Sequence, residues 1–187
     1  VISISERKLH TNMANLSDGT IREKLNTNEI EVEPLVDIDA QLQPGSLDLR
    51  LGHEITNMST GETHYVEEWE SFAFEQGVFY LASTLERVKL PADVQAHVNG
   101  RSSIGRKGLI VHATAGIVDA GWDGELTLEI TNLGHDPVVL SPRQRVCQLE
   151  FVELDKPAER PYGSKDDAKY QGQTGPTESK LDDDIHL

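Results

Sequence analysis

The sequence is poor in cysteine and has no long apolar run. Its single cysteine, Cys147, excludes a disulfide framework and any metal site with two thiolate ligands. No segment approaches the roughly 20 consecutive apolar residues of a membrane-spanning helix. Residues 1–16 contain no apolar run of signal-peptide length. Together these absences predict a cytoplasmic protein that does not contact a membrane.

Basic residues are also scarce, because 17 Lys and Arg stand against 32 Asp and Glu, a formal net charge of −15. Such a surface repels nucleic acids at long range, so we expect no nucleic acid partner. A phosphate site would have to be a local cluster of cations and backbone N–H groups. The acidity fits adaptation to a salt-rich cytoplasm, where screening removes the self-repulsion. It fits ordinary acidity that favours solubility equally well.

Alternation of apolar and polar residues dominates the middle of the chain. Before it, Ser17 is typical of a helix N-cap, and Ile21 and Leu25 lie one turn apart, which predicts a short helix that ends near residues 26–28. Beyond that helix, period-two alternation recurs in short segments that glycine and proline interrupt, including residues 30–33, 46–51, 94–98 and 125–131. This pattern predicts an all-β fold that forms a barrel or a sandwich.

The 187 residues fit one compact domain with additions at both ends. Residues 1–14 show no periodic pattern, and we expect a disordered extension there. Residues 15–156 hold the alternating segments and form the β domain. From Pro157 onward, polar residues, glycine and proline replace apolar ones. This composition predicts a surface tail, residues 157–187, that orders only against a ligand or partner.

Residues 100–108 are the densest candidate for ligand binding. They contain three cations, two hydroxyl groups and three glycines within an otherwise acidic chain. Glycine allows close approach of a backbone to a ligand, and arginine grips phosphate with two parallel hydrogen bonds. The spacing of a Walker A loop is absent. The segment is therefore either a phosphate site of another kind or a basic surface turn that offsets neighbouring acids.

Two acidic residues are candidates for chemistry. Glu129 lies on the polar face of a predicted strand, which either faces water or lines a pocket where a carboxylate serves as general base. Asp119 lies in a glycine-spaced turn, where it either shapes the turn or accepts a hydrogen bond from a sugar hydroxyl. The seven histidines show no HxH or HxxxH spacing. We therefore expect no metal ligands among them.

Five segments in order resemble deoxycytidine triphosphate (dCTP) deaminases, which belong to the deoxyuridine triphosphatase (dUTPase) superfamily. They are PGSLDLRLG at residues 44–52, GRSSIGR at 100–106, DAGWDGELTLE at 119–129, PY at 161–162 and AKYQGQ at 168–173. The resemblance spans residues 16–180. It implies a distorted β-barrel with jelly-roll character, a short N-terminal helix and a C-terminal tail that covers the nucleotide. It also implies a homotrimer with three active sites at subunit boundaries.

The resemblance implies a triphosphate site at Arg101, Ser102, Ser103, Ile104, Gly105 and Arg106, with one arginine supplied by a neighbouring subunit. It implies that Asp119 meets the deoxyribose 3′-hydroxyl. Further nucleotide contacts would come from Thr127, Leu128, Glu129, Gln148, Tyr162, Lys169 and Gln173. The catalytic set would be Glu129, Ser102, Arg106 and the carbonyl of Ala115. Mg²⁺ is expected on the triphosphate oxygens rather than on protein ligands.

The resemblance also implies chemistry that works without zinc. Zinc-type nucleobase deaminases need a His/Cys/Cys or Cys₃ site, which one cysteine cannot supply. Instead, Glu129 would take a proton from water, and the hydroxide would attack C4 of cytosine. The same carboxyl group would protonate N3 and then the leaving ammonia. Thymidine triphosphate is expected as an inhibitor.

Gly116 and Ile117 indicate whether the reaction stops at deoxyuridine triphosphate or continues to the monophosphate. Family members that continue to deoxyuridine monophosphate (dUMP) tend to have glycine followed by a large apolar residue here, so this pair favours the dUMP-forming reaction, which supplies thymidylate synthesis. Ile117 is smaller than the aromatic residue usual in those members. Two other functions stay open, a plain dUTPase and a β-barrel that binds nucleotides without catalysis.

Overall fold

The computed structural model describes residues 14–186, with side chains described for residues 14–183. The predicted extension lies outside the described residues except for Ala14, which begins the first strand. The described chain contains β1 (Ala14–Asn15), β2 (Glu31–Glu33), β3 (Leu42–Gln43), β4 (Ser46–Asn57), β5 (Glu62–Tyr65), β6 (Phe72–Phe74), β7 (Phe79–Lys89), β8 (Val94–Gly100), β9 (Leu109–Val111), β10 (Ile117–Val118), β11 (Asp123–Asn132), β12 (Val138–Leu140) and β13 (Arg145–Glu153). Its helices are α1 (Asp18–Asn26), α2 (Ile38–Gln41) and α3 (Ser102–Gly105), with 3-10 turns at Tyr162–Ser164 and Leu181–His186.

Helix α1 begins directly after Ser17, as the sequence predicts. Ile21 is fully buried and anchors the helix on the sheet. The helix ends where Thr27 N donates to Glu23 O and Asn28 adopts a left-handed φ of 57°. Asparagine tolerates this conformation better than most residues, which explains the stop at this point.

One antiparallel sheet of eleven strands forms the body of the protein, in the order β10-β8-β13-β4-β7-β11-β9. Strand β1 extends it beside β13, β2 beside β7, and both β3 and β5 beside β4, while β6 and β12 form a separate pair. The sheet curls into a half-barrel around the apolar core. The predicted all-β barrel class is confirmed.

Strands β11 and β4 show two kinds of burial. Every second residue of β11 is buried, from Gly124 to Asn132, so its polar face is separate from the core. In β4, residues on both faces are buried from Ser46 to Gly52. Strand β4 lies between β13 and β7 and is also covered by α2. The polar residues of this first part of the strand, Ser46, Asp48 and Arg50, therefore lie inside the protein.

Glu86 of β7 is one of the buried charges and is fully enclosed. Its Oε1 accepts from Arg50 Nε at 2.6 Å and from Gln41 Nε2 at 2.9 Å. Arg50 N donates to Oε2 at 2.8 Å, and Arg50 Nη2 donates to Pro34 O at 2.6 Å. Burial raises the pKa of Glu86, although the hydrogen bonds from Arg50 oppose this. Glu86 and Arg50 thus make these hydrogen bonds to groups of the same chain, and the ion pair holds strands β4 and β7 together.

The C-terminal tail packs against the chain's own barrel, whereas the sequence predicts ordering only against a ligand or partner. Gly172 N donates to Asp123 O at 2.7 Å, and Glu125 N donates to Gln173 O at 3.0 Å. Gly175 N donates to the Glu125 carboxylate at 2.7 Å. A Cβ on Gly124 would lie 3.2 Å from both the N and O of Gln173, so glycine permits the close crossing. No helix within residues 14–186 is long and apolar enough to span a membrane.

Candidate active site

A cavity of about 460 Å³ lies between the polar face of β11, the turn before it and the C-terminal tail. Seven residues that the sequence singles out line it: Ala115, Ile117, Asp119, Thr127, Glu129, Tyr162 and Gln173. The alternation of β11 directs Thr127 and Glu129 to this side, while Leu128 and Ile130 are fully buried in the core. The polar face of the strand therefore lines a pocket, the second of the two possibilities that the pattern leaves open.

The Glu129 carboxyl group is half-buried and fixed by one neighbour. Its Oε2 accepts from Thr114 N at 2.9 Å and from Thr114 Oγ1 at 2.8 Å. The backbone nitrogens of His112 and Ala113 donate to Glu129 O at 2.8 and 3.1 Å. Within the described chain Oε1 has no hydrogen-bond partner, so it can act on a bound water.

The loop that holds Glu129 is bent by two left-handed residues, His112 with a φ of 68° and Ala115 with a φ of 51°. His112 lines the cavity, and both of its ring nitrogens are buried without a hydrogen-bond partner in the described structure. The sequence treats this histidine like the other six, because no spacing pattern marks it. The left-handed turn at His112 and Ala115 places the imidazole ring at the cavity wall.

Asp119 lies exposed in the turn between β10 and β11. Trp122 N donates to Asp119 O at 3.1 Å, which closes the turn and leaves the Asp119 carboxylate at the cavity. The buried Trp122 ring packs 5.5 Å from the Tyr162 ring, which joins the turn to the tail. The turn expected at Asp119 is therefore present in the structure.

The tail covers part of the cavity and supplies wall residues that the sequence analysis missed, namely Tyr170, Thr177, Glu178 and Ser179. Thr177 N donates to Thr127 Oγ1 at 3.1 Å, so this hydroxyl is bonded to the tail. Tyr170 N donates to Tyr162 Oη at 3.1 Å, and Lys180 N donates to Tyr170 Oη at 2.9 Å. Lys169 lies in the tail without lining the cavity, and its carbonyl accepts from Lys180 Nζ.

The basic segment lies apart from the cavity of its own chain. Arg101 precedes the one-turn helix α3, in which Ile104 is buried while Ser102, Ser103 and Gly105 are exposed; Arg106 is also exposed. None of the residues from Arg101 to Arg106 lines the cavity, nor do Gly116, Leu128 and Gln148. Leu128 is fully buried in the core. The structure therefore brings together the predicted base and sugar residues, but not the predicted triphosphate residues.

Arg101 instead contacts a buried carboxylate. Its Nε lies 3.1 Å from Asp48 Oδ2, and Arg145 Nη1 lies 3.2 Å from the same oxygen. Burial raises the pKa of Asp48, while the charges of Arg101 and Arg145 act in the opposite direction. Gln148 pairs with Asp48 in the register of β13 and β4, next to this cluster.

Within residues 14–183 no group of three or more His, Cys, Asp and Glu side chains is arranged to hold a metal ion. Cys147 is fully buried, and burial raises the pKa of its thiol. The described chain thus offers no such group of side chains for a resident metal.

Comparison with known proteins supports the resemblance. A family model described as dCTP deaminase-like matches residues 15–154. A dCTP deaminase of Natronomonas pharaonis is 49% identical over 186 residues, covering 90% of this chain and 95% of that protein. A dUMP-forming dCTP deaminase of Methanosphaera stadtmanae is 43% identical over 193 residues, covering 94% of this chain and 98% of that protein. The crystal structure of the deaminase of Agrobacterium tumefaciens matches with a TM-score of 0.65 and 27% identity, covering 75% of this chain and 48% of that chain.

Proposed function

The chain belongs to the dCTP deaminase-like family, and from that premise we propose that it hydrolyses dCTP at C4 of cytosine to deoxyuridine triphosphate (dUTP) and ammonia. We propose that it then releases dUMP and diphosphate with a second water. The observation that carries the proposal is the Glu129 carboxylate, which is fixed on Thr114 at the wall of a nucleotide-sized cavity. Near-full-length relatives carrying the deaminase name support the substrate.

Glu129 is the proton shuttle in this reaction. Its free Oε1 takes a proton from water, and the hydroxide adds to C4. The carboxyl group then delivers the proton to N3, and a further transfer lets ammonia leave as the C4 carbonyl forms. The two hydrogen bonds from Thr114 hold the other oxygen, so the carboxyl group cannot rotate away from the base. Ser102, Arg106 and the Ala115 carbonyl position the water.

The cavity orients the nucleoside. Thr127 and the backbone at Leu128 read the base edge, and Asp119 accepts a hydrogen bond from the 3′-hydroxyl. For this, the Thr127 hydroxyl exchanges its contact with Thr177 N for one with the base. Tyr162, Lys169 and Gln173 close the tail over the nucleotide. We propose that thymidine triphosphate competes for this cavity.

The triphosphate site is completed by a second copy of the chain. Residues 101–106 carry the cations but do not line the cavity of their own chain. A homotrimer that places this segment of one protomer at the cavity of its neighbour would unite both parts, together with Gln148. Mg²⁺ enters on the phosphate oxygens as part of the substrate.

We propose that deamination needs no zinc. The zinc-type deaminases use two or three thiolates, and this sequence has one cysteine, which is buried in β13. The second step, to dUMP, is supported by Gly116 and Ile117, of which Ile117 is exposed and lines the cavity. Relatives of both names match this chain, at 49% and 43% identity.

Incubation of the purified protein with dCTP and Mg²⁺ tests the proposal. Ammonia, diphosphate and the nucleotide product are followed together. Equal amounts of ammonia, diphosphate and dUMP support both steps. Ammonia with dUTP alone supports deamination and contradicts the second step. Cleavage of added dUTP without any ammonia from dCTP would show a plain dUTPase, and no reaction with either nucleotide would contradict catalysis.

A further inference from the structure

Asp48 is a buried carboxylate that forms ion pairs with two partly exposed arginines, Arg101 and Arg145. Its side chain is 1% exposed, whereas those of Arg101 and Arg145 are 25% and 36% exposed. Both guanidinium groups contact the same oxygen, Oδ2, at 3.1 and 3.2 Å. The other oxygen, Oδ1, is buried and has no hydrogen-bond partner within the described structure. The carboxylate is thus committed to the arginines alone.

The two arginines are further tied to the backbone and to each other. Arg101 Nη1 donates to Arg145 O at 3.1 Å, and Arg145 Nη1 donates to Ala40 O. Each guanidinium has five N–H donors, so both retain donors beyond these contacts. Because these side chains remain partly exposed, the remaining donors can reach a ligand. Two cations on one carboxylate leave this spot locally positive in a chain of net charge −15.

We propose that Asp48 is a positioning residue that holds Arg101 and Arg145 as one pair of guanidinium groups for the triphosphate of the substrate. The inference rests on the proposed function and adds Arg145 to the predicted triphosphate residues. Buried Glu86 contrasts with it, because its arginine, Arg50, turns inward to Pro34 O and is only 9% exposed. The ion pair of Glu86 with Arg50 therefore stabilises the fold, whereas the ion pairs of Asp48 hold two arginines at the surface, where a ligand can reach them.

Charge and positioning make opposite predictions for Asp48. Replacing Asp48 by asparagine removes a negative charge near the bound phosphates, which by Coulomb's law alone strengthens anion binding. If Asp48 instead orients the arginines, the substitution weakens binding, because a neutral amide oxygen holds two guanidinium groups much less strongly than a carboxylate oxygen does. The direction of the change separates the two effects.

Binding of inorganic triphosphate (tripolyphosphate) and of dCTP is measured by calorimetry for the full-length protein and D48N. We expect D48N to lose affinity for both by about 10- to 100-fold, the range seen when residues that orient metal ligands are replaced. Affinity for the uncharged nucleoside deoxycytidine should stay unchanged. The control E86Q removes the other buried carboxylate charge and should bind tripolyphosphate like the parent. Equal or tighter binding of tripolyphosphate by D48N would overturn the proposal.

A second variant keeps the test valid if D48N fails to fold. R145K keeps the positive charge at a partly exposed position but loses the planar fork that reaches Asp48 and a phosphate together. We expect weaker tripolyphosphate binding in R145K, and parental affinity would overturn the role of the pair. Turnover of dCTP by the parent protein is measured in parallel. Absence of turnover contradicts the proposed function, while the tripolyphosphate comparison still decides the role of Asp48.

Discussion

The two halves of the candidate site are built differently. The half around β11 is assembled within one chain, where Glu129 is fixed by Thr114 and the tail covers the cavity. The half around α3 is exposed and lies outside that cavity, with Arg101 anchored on Asp48. The first half can orient a base, and the second can bind phosphate. In our proposal one protomer therefore supplies Glu129 and the base and sugar contacts. Its neighbour supplies the triphosphate contacts together with Ser102 and Arg106, which position the water.

The β11 half gives the largest expected effect. E129Q should lower ammonia release by about 10²- to 10⁴-fold, because the amide cannot shuttle protons. Nucleotide affinity should stay within about tenfold, since the side chain keeps its size and one acceptor oxygen. Stopped assays for ammonia and calorimetry with dCTP measure the two quantities.

The control for E129Q is E150Q, a half-buried glutamate on β13 that does not line the cavity. E150Q should retain parental turnover. Appreciable turnover in E129Q would remove Glu129 from the proton-shuttle role, even if the rest of the cavity binds nucleotide.

Mixing two inactive variants tests whether the halves belong to different chains. R106A should lose activity through the α3 half, and E129Q through the β11 half. The two variants are unfolded together and refolded at equal amounts. A site shared between chains is then intact where an R106A chain, which keeps Glu129, lies next to an E129Q chain, which keeps Arg106. In random trimers this restores about a quarter of the sites.

Activity of the refolded mixture, compared with each variant refolded alone, is the measurement. Recovery near a quarter of the parental rate supports a shared site. A mixture as inactive as its components would place both halves in one chain and break the contrast between them.

The tail gives a moderate effect. In G124A the new Cβ would lie 3.2 Å from Gln173 N and O, so the tail or the strand has to shift by a few tenths of an ångström and the bonds between them are weakened. We expect the KM for dCTP to rise on the order of tenfold, because the tail must be ordered again on binding. Removal of residues 157–187 should also raise the KM for dCTP, while the barrel stays folded.

The control is G19A in α1, where a Cβ meets nothing closer than 4.0 Å. Its KM should match that of the parent. Circular dichroism checks that all variants fold. An unchanged KM in both G124A and the truncated chain would contradict a role of the tail in nucleotide binding.

The smallest expected effect concerns the acidic surface that surrounds both halves. If salt adaptation explains the net charge of −15, the melting temperature should rise from dilute buffer to molar salt. The expected rise is roughly 2–4 °C for each kcal/mol of screened repulsion. Calorimetric melting at a series of salt concentrations measures it, and a flat curve favours ordinary acidity.

The sequence predicts which side chains of β11 share a face. Alternation in residues 125–131 assigns Thr127 and Glu129 to one face, and the structure puts that face at the cavity. Helix α1 also begins after Ser17 as predicted. Both depend on local periodicity, which a single sequence displays directly.

Other features depend on which elements become neighbours. Period two assigns Asp48 to a face of β4 but does not reveal that this face is covered as well. The position of His112 depends on a left-handed turn, and that of the tail on main-chain hydrogen bonds to β11. The tertiary contacts that determine these positions leave no mark in composition or spacing.

Backbone bonding of the tail has a consequence for variation among related sequences. Because Gly172 N and Gln173 O bond to main-chain atoms of β11, most substitutions in this stretch would leave these two bonds intact. An inserted or deleted residue would instead shift Thr177 away from Thr127. The spacing between these positions should therefore tolerate less change than the identity of the residues between them.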